Sequence, residues 1–344
     1  MTGFQPSEKK AEASFGEINP RGLSPRVALS LLELISLRND PSSGGRFDLN
    51  RGLPRRYRPL MAVTLLKLAC PDRVGLLARL TSFVAYHGGN LLEVHQFTDP
   101  INGWFFTRMA IDSGTLALDT VGLRKAFTPL ATELEADWSI REENARLRTA
   151  ILVSKLGHCL ADLLWRWRVG ELPMDIPVVI SNHETFRERV EREGLCFEYV
   201  PVESADKSAG LRRTAEILRE HDIDLVVLAR YMQIIPPEVC ETWQGRIINI
   251  HHSFLPSFVG ANPYRRAYDR GVKLIGATCH YVTPVLDEGP IIDQEVVRVE
   301  HFHSPDDLLR LGRDCERLAL ARGVRYHLHD RVLIKGNKTV VFRD

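Results

Sequence analysis

Two short polar clusters in the second half of the chain carry residue types that can stabilise developing charge and move protons. The first, Asn249-Ile250-His251-His252-Ser253, closes the apolar run RIINI (246–250). Alternation along a strand puts Asn249 and His251 on one side, with Ile248 and Ile250 on the other. An amide N–H can stabilise an oxygen that gains charge, and an imidazole can move a proton near neutral pH. The second cluster, Leu286-Asp287-Glu288-Gly289-Pro290, is a turn between two strand-like runs, Lys273–Val282 and Pro290–Arg298. A carboxylate there would hold a histidine protonated or order a water. A lone histidine at a strand end, or a lone Asp-Glu-Gly turn, is more often structural than functional. The two together make a candidate site for oxyanion stabilisation and proton transfer, without naming a reaction.

The elements around them place that site. From Arg148 the chain reads βαβα. Strand runs AILVS (150–154), IPVVIS (176–181), Phe197–Val200 and IDLVVLA (223–229) alternate with helical runs His158–Arg168, Glu184–Glu193 and Ala209–His221. Near-continuous apolar strands between helices mean a parallel sheet buried on both faces, whose ligands sit beyond the carboxyl ends of the strands. A helix from Pro305 to Tyr326 and a hairpin turning at Gly336-Asn337 complete this part. Upstream, MAVTLLKLAC (61–70) is followed by an amphipathic helix opened by Pro71-Asp72 and running to Tyr86, with Val74, Leu77, Leu80, Phe83 and Val84 as its apolar face. Strands Asn90–Thr98 and Trp104–Ile111, a helix Asp119–Glu133 and a strand Trp138–Arg141 complete the ferredoxin-like order β-α-β-β-α-β. The expected fold is therefore α/β: a ferredoxin-like α+β domain over 60–143, then an open, mostly parallel α/β domain over 148–344. Residues 1–59, rich in Gly, Pro, Ser and charge, read as a flexible extension with one helix-spaced segment, Arg26–Leu37.

Composition excludes several classes. The chain has 344 residues, 44% hydrophobic and 26% charged, with Lys+Arg 45 against Asp+Glu 44 and a formal charge of +1. Such a balance gives no field that would attract nucleic acid or an anionic membrane. No apolar run is long enough to span a bilayer, and the polar, acid-containing start resembles no signal peptide. The 6 cysteines are scattered without a CxxC, which fits reduced thiols in a cytoplasm. No metal is expected: adjacent His251-His252 cannot easily share a tetrahedral ion, and His301 and His303 precede a helix cap at Ser304-Pro305-Asp306-Asp307. Neither GxGxxG nor GxxxxGK[ST] follows a strand, so no nucleotide cofactor is expected. Trp165 and Trp167, two apart on a helix, cannot form one stacking platform for bases.

Beyond these readings, Asn249-Ile250-His251, followed by Ser253-Phe254-Leu255-Pro256-Ser257-Phe258 and Gly260, resembles a signature of the 10-formyltetrahydrofolate formyltransferase superfamily. Thr278-Cys279-His280-Tyr281-Val282 and Leu286–Ile292 match its second signature in order and spacing. The preceding module, with Cys70-Pro71-Asp72, Gly75-Leu76 and Gly88-Gly89-Asn90, resembles an ACT domain. That domain order is the order of the superfamily's hydrolase branch, to which His252, the helix His158–Arg168, Ser181-Asn182-His183 and Ala229–Ile235 are also similar. The tail before residue 59 is the one departure.

The resemblance implies hydrolysis of 10-formyltetrahydrofolate to formate and tetrahydrofolate, with no cofactor. Asn249 and protonated His251 would stabilise the oxyanion, while Asp287 would raise the pKa of His251, order the water and take its proton. Met232, Gln233, Ile234, Ile235, His252, Gly260, His280 and Val282 would bind the folate. The nucleotide-accepting relatives have a Gly-rich phosphate loop after the first strand. Here that place reads Ser154-Lys155-Leu156-Gly157-His158, too bulky for the purpose, and no long basic RNA-binding extension follows, which leaves water as acceptor. The released formate would supply purine synthesis and balance one-carbon pools. The ACT resemblance implies self-association and an amino-acid effector site at Asp72, Gly75, Leu76 and Asn90.

Overall fold

Alternating apolar residues make β1 (Val63–Pro71), whose Leu66, Leu68 and Cys70 enter a core with Leu80, Met109 and Phe127. The computed structural model describes residues 62–202, 207–255 and 263–343. The expected extension 1–59, its segment Arg26–Leu37 and Gly260 lie outside the described residues. After β1 come α1 (Leu76–Tyr86), β2 (Asn90–Asp99), β3 (Trp104–Asp112), α2 (Thr120–Glu133) and β4 (Asp137–Glu142). The four strands form an antiparallel sheet in the order β2-β3-β1-β4. Asp119 caps α2 by accepting from the Gly122 N–H at 2.7 Å, satisfying one of the donors a helix start leaves open.

The start of α1 corrects the sequence reading. Gly75 takes a φ of 85°, a left-handed turn that breaks the run from Pro71, so the helix begins only at Leu76. Its buried face is Leu76, Leu80 and Val84, while Val74 and Leu77 are exposed.

The second half builds a seven-stranded sheet. Its elements are β5 (Leu147–Val153), α3 (His158–Arg168), β6 (Met174–Ser181), a 3-10 turn leading into α4 (Arg187–Arg192), β7 (Phe197–Tyr199), α5 (Lys207–Glu220), β8 (Leu225–Leu228), α6 (Pro237–Thr242), β9 (Ile247–His251), α7 (Pro263–Arg270), β10 (Leu274–Tyr281), β11 (Ile291–Arg298) and α8 (Pro305–Leu328). The order is β11-β10-β9-β8-β5-β6-β7. β5 to β9 are parallel neighbours, and β10 runs antiparallel to both β9 and β11. One apolar layer packs Ile151, Val153, Ile248 and Ile250 on residues of α3 and α8. The other packs Ala150, Leu152, Val226 and Ile247 on residues of α5 and α6. This is the expected open, mostly parallel α/β arrangement. α6 and α7, absent from the sequence reading, are too short to show a period.

The closing hairpin, β12 (Val332–Lys335) and β13 (Lys338–Val341), turns at Gly336 and joins the two sheets. Leu333 and Phe342 pack with Ala69 and Phe106 of the first sheet. Asp330 pairs with Lys67 at 3.3 Å and with Arg141, and the almost wholly buried Arg108 donates to the His329 carbonyl at 3.1 Å.

Candidate active site

β9 positions the first cluster as its alternation predicts. Ile248 and Ile250 are buried in one layer, and Asn249 and His251 face a cavity at the strand's carboxyl end. The cavity's opposite wall is the loop after β8. There Arg230 adopts a φ of 65°, and the Met232 N–H donates to Ser154 Oγ at 3.0 Å. Ser154 in turn donates to Asn182 Oδ1 at 2.7 Å. The ends of β5, β6 and β8 are thereby tied together beneath the cavity.

The polar geometry is closely interlocked. His280 Nδ1 donates to the Tyr281 carbonyl at 2.8 Å, so in the neutral ring Nε2 accepts from the Asn249 amide at 3.1 Å. That fixes which end of Asn249 is NH2 and leaves its second N–H for another acceptor. His251 Nδ1 lies 3.3 Å from Asp287 Oδ2, and its Nε2 lies 2.9 Å from Ser253 Oγ. Asp287 Oδ1 is 3.7 Å from His280 Nε2. Hydrogen bonding from His251 is the main cause that holds the Asp287 carboxyl well below the usual carboxylate range, so it is an anion at neutral pH.

The turn that delivers Asp287 is a strained one. Asp287 itself has a φ of 56°, and a Cβ at Gly289 would sit 1.7 Å from the Tyr281 carbonyl oxygen. Only glycine lets this turn fold back onto β10 and bring the carboxylate to the two histidines.

The cavity measures about 350 Å³. Met232, Gln233, Ile234, Ile235, His252, His280 and Val282 line it with Asn249, His251 and Asp287. The sequence reading's described folate contacts thus share one wall system with the catalytic candidates. Met232 and Ile234 are 58% and 66% exposed, and Leu286 61%, a cluster of apolar side chains that a flat, partly apolar ligand would cover. His280 is nearly buried, and both its nitrogens are engaged as above.

The expected effector residues do not converge. Asp72 follows Pro71, which pairs with Trp104, whereas Asn90 pairs with Asp112 at the other end of β3. At roughly 3.4 Å per residue the separation is about 27 Å. Leu76 is in the module's core. One site within a single chain cannot use all four residues, a correction that sequence neighbourhood could not supply.

Other expectations resolve locally. Ser304 and Asp307 form a capping box at the start of α8, and His303 Nδ1 accepts from the Glu300 N–H at 2.8 Å. Trp167 donates to the Met174 carbonyl at 3.0 Å, while Trp165 is exposed. Among the described residues, His158, Cys159 and Glu316 have metal-like spacing. However, Glu316 already meets His158 at 2.6 Å, Tyr264 at 2.7 Å and the Arg230 guanidinium at 3.3 Å, a cation where a metal would need room. Among the described residues, no helix is long and apolar enough to cross a membrane.

Sequence reasoning missed Ser253 as the partner of His251, and it missed Glu316. The signal for Glu316 was present. It falls on the helix face of Gly312, Cys315, Ala319, Leu320 and Gly323, where a carboxylate must be buried and therefore paired.

An open parallel sheet with Asn, His and Asp gathered at the ends of β9 and β10 defines the formyl transferase class, and the model of the family described as Formyl transferase matches residues 147–324. A formyltetrahydrofolate deformylase of Bacillus subtilis strain 168 is 47% identical over 278 residues, 80% of this chain and 93% of its own. The crystal structure of a formyltetrahydrofolate deformylase from Pseudomonas syringae superposes with a TM-score of 0.82 at 50% identity, covering 84% of this chain and 97% of that one. A glycinamide ribonucleotide transformylase from Symbiobacterium toebii reaches 0.54 at 32% identity, covering 58% of this chain and 95% of its own. The chain belongs to the formyltetrahydrofolate deformylase family.

Proposed function

We propose that this chain hydrolyses 10-formyltetrahydrofolate to formate and tetrahydrofolate, with Asn249, His251 and Asp287 as its catalytic residues and no cofactor. The observation that carries the reading is the convergence of those three side chains on a cavity whose mouth is apolar. The pterin lies against Met232–Ile235 and Val282, and the formyl group reaches Asn249 and His251. Water attacks the formyl carbon, and its oxygen–carbon bond forms as the carbonyl oxygen takes up charge. The free N–H of Asn249 and protonated His251 stabilise that oxygen. Asp287, ionised and tied to His251, orders the water and accepts its proton. The carbon–N10 bond then breaks, with N10 protonated through the same network, releasing formate and tetrahydrofolate.

The loop after β5 favours water as acceptor. A Cβ at Gly157 would meet the Phe186 ring at 2.4 Å, and His158 is locked on Glu316. Side chains crowd that loop at Gly157 and His158, which leaves less room for a phosphate than an open Gly-rich loop gives.

The four-stranded module is an ACT domain in this reading, and it mediates self-association. An amino-acid effector bound near Asp72 and Gly75 would take the Asn90 end from elsewhere than the same chain. The enzyme works in the cytoplasm, and its formate serves purine synthesis and one-carbon balance.

The test is incubation of the purified protein with 10-formyltetrahydrofolate in buffer alone, following tetrahydrofolate and formate. Turnover abolished in Asp287→Ala is the expected result. Formyl loss only on addition of an amine acceptor would make the protein a transferase instead.

A further inference from the structure

Glu316 is 1% exposed and sits mid-way along α8, where an unpaired carboxylate would be costly. Its two oxygens take His158 Nε2 at 2.6 Å and the Tyr264 hydroxyl at 2.7 Å. Gly312, one turn earlier, is what admits Tyr264, since a Cβ there would lie 2.1 Å from the phenol ring. The Arg230 Nε is 3.3 Å from the same carboxylate. A buried ion pair of this kind could end there, with both carboxylate oxygens hydrogen-bonded.

It does not end there. Arg230 sits in the cavity wall, and its NH1 is 2.8 Å from His252 Nδ1. A guanidinium can only donate, so Nδ1 accepts, and the proton of a neutral His252 ring must be on Nε2. Burial, then the Arg230 cation, push the His252 pKa down to about 4, so the ring is neutral in the working range. Four titratable or charged groups face it: Arg230 from the loop after β8, His251 from β9, Glu316 from α8 and Asp287 from the turn after β10. The result is a buried Nε2–H donor with no hydrogen-bond partner among the described residues. Buried donors are nearly always satisfied, so one left open beside a catalytic ring asks for an acceptor. His252 stacks on His251 with centroids 4.8 Å apart. It also lines a second cavity of about 20 Å³, with Ser253 and Tyr264, which is room for one water.

We propose that Glu316 and Arg230 are positioning residues that lock His252 as a neutral Nε2–H donor, and that this donor holds a water molecule beside the catalytic His251. The water takes its hydrogen bond from Nε2 and keeps its own protons for acceptors of the site. The inference rests on the hydrolytic reading above for its consequence, but its geometry is testable without turnover.

The test is ¹⁵N-histidine NMR of the whole wild-type protein across pH, joined to steady-state kinetics of variants. The expected spectrum has His252 protonated at Nε2 alone throughout the neutral range. An Nδ1–H ring, or titration near the ordinary histidine value, overturns the proposal even if the enzyme is a deformylase. A wild-type protein that shows the Nε2–H ring yet does not hydrolyse 10-formyltetrahydrofolate sinks the hydrolytic reading and leaves the lock standing.

In the kinetics, His252→Ala should lose about 10²-fold in kcat, the scale of one lost donor, with KM within about twofold, because water is not the varied substrate. His252→Gln, which can place an amide N–H near the Nε2 position, should keep more of kcat than His252→Ala. A KM increase with unchanged kcat would mean that His252 holds the folate, and would overturn the proposal.

Arg230→Met frees the ring to place its proton on either nitrogen and raises its pKa. Its kcat, relative to wild type, should therefore recover as pH falls, because the protonated ring again carries an Nε2–H. Mere structural damage gives a pH-independent ratio, which counts against the lock.

Discussion

Asn249 and His280, neighbours across β9 and β10, meet through one hydrogen bond of 3.1 Å that sets the orientation of the amide. His280 can accept there only because its other nitrogen is committed to the Tyr281 carbonyl. The residue therefore acts on Asn249 and does not need to touch the substrate. His280→Ala should lower kcat by about 10-fold to 10²-fold, less than the 10²–10³ expected for Asn249→Ala as an oxyanion donor. Comparing the two variants, and the double variant, by steady-state kinetics checks it. A double variant no worse than Asn249→Ala is the expected result, since a positioning residue has nothing to add once its target is gone.

Gly289 is the residue on which the carboxylate's approach depends. Because its Cβ would overlap the Tyr281 carbonyl oxygen, Gly289→Ala must push the turn outward and carry Asp287 away from His251. The expected outcome is a folded protein with activity reduced as severely as in Asp287→Ala and with a lowered Tm. Activity assays beside thermal unfolding decide it, and near-normal turnover in Gly289→Ala would refute the dependence.

The legibility of this site followed the range of the interactions that build it. β9 could be read because alternation is local, and Asn249 and His251 emerged on the cavity side. The Leu286–Pro290 turn could be read as a candidate but not placed, because its route to His251 depends on one close backbone contact, Gly289 against Tyr281. The links through Ser154 to Asn182 and from Arg230 to Glu316 and His252 join residues far apart in the chain, and no local pattern announces them. The start of α1 was misplaced for a different reason. Helical spacing of apolar residues ran through Val74, but Gly75 took a left-handed conformation that propensity does not reveal. Asn90 shows the converse error, a residue close in motif order yet set at the far end of the sheet from Asp72.

Acid sensitivity should come in part from His327. Its Nδ1 is hydrogen-bonded to the Tyr281 hydroxyl at 2.8 Å, and burial, then the nearby Lys67 cation, lower its pKa from 6.5 to about 3. The folded value lies below the unfolded one, so between them the unfolded chain binds the extra proton. The contribution is therefore complete above pH 6.5 and is lost as pH falls towards about 3, at up to about 1.4 kcal/mol per pH unit for one proton. His327→Asn, which can keep a partner for the hydroxyl without titrating, should flatten the fall in stability over that window. Urea unfolding of both proteins at several pH values measures the slopes, and identical slopes would remove His327 as a cause.

Asp330, in the turn between α8 and β12, links that turn electrostatically to the first sheet. Its carboxylate, almost buried, meets Lys67 of β1 and Arg141 of β4, while Arg141 also donates to the Leu328 carbonyl at the end of α8. Desolvation works against the anion, and the two cations overcome it, holding its pKa below the ordinary aspartate range. Removing the charge in Asp330→Asn leaves both cations partly buried without a counter-charge, which should cost about 3 kcal/mol. The apolar seam of Leu333 and Phe342 on Ala69 and Phe106 remains in that variant, so the sheets should loosen and not separate. Limited proteolysis at the short link between β4 and β5, residues 143–146, reports that loosening directly. Faster cleavage in Asp330→Asn than in wild type, reversed when Arg141→Met is added, is expected if the penalty comes from the orphaned guanidinium. Cleavage that is no faster, with unchanged Tm, would show that the apolar seam alone holds the two sheets together.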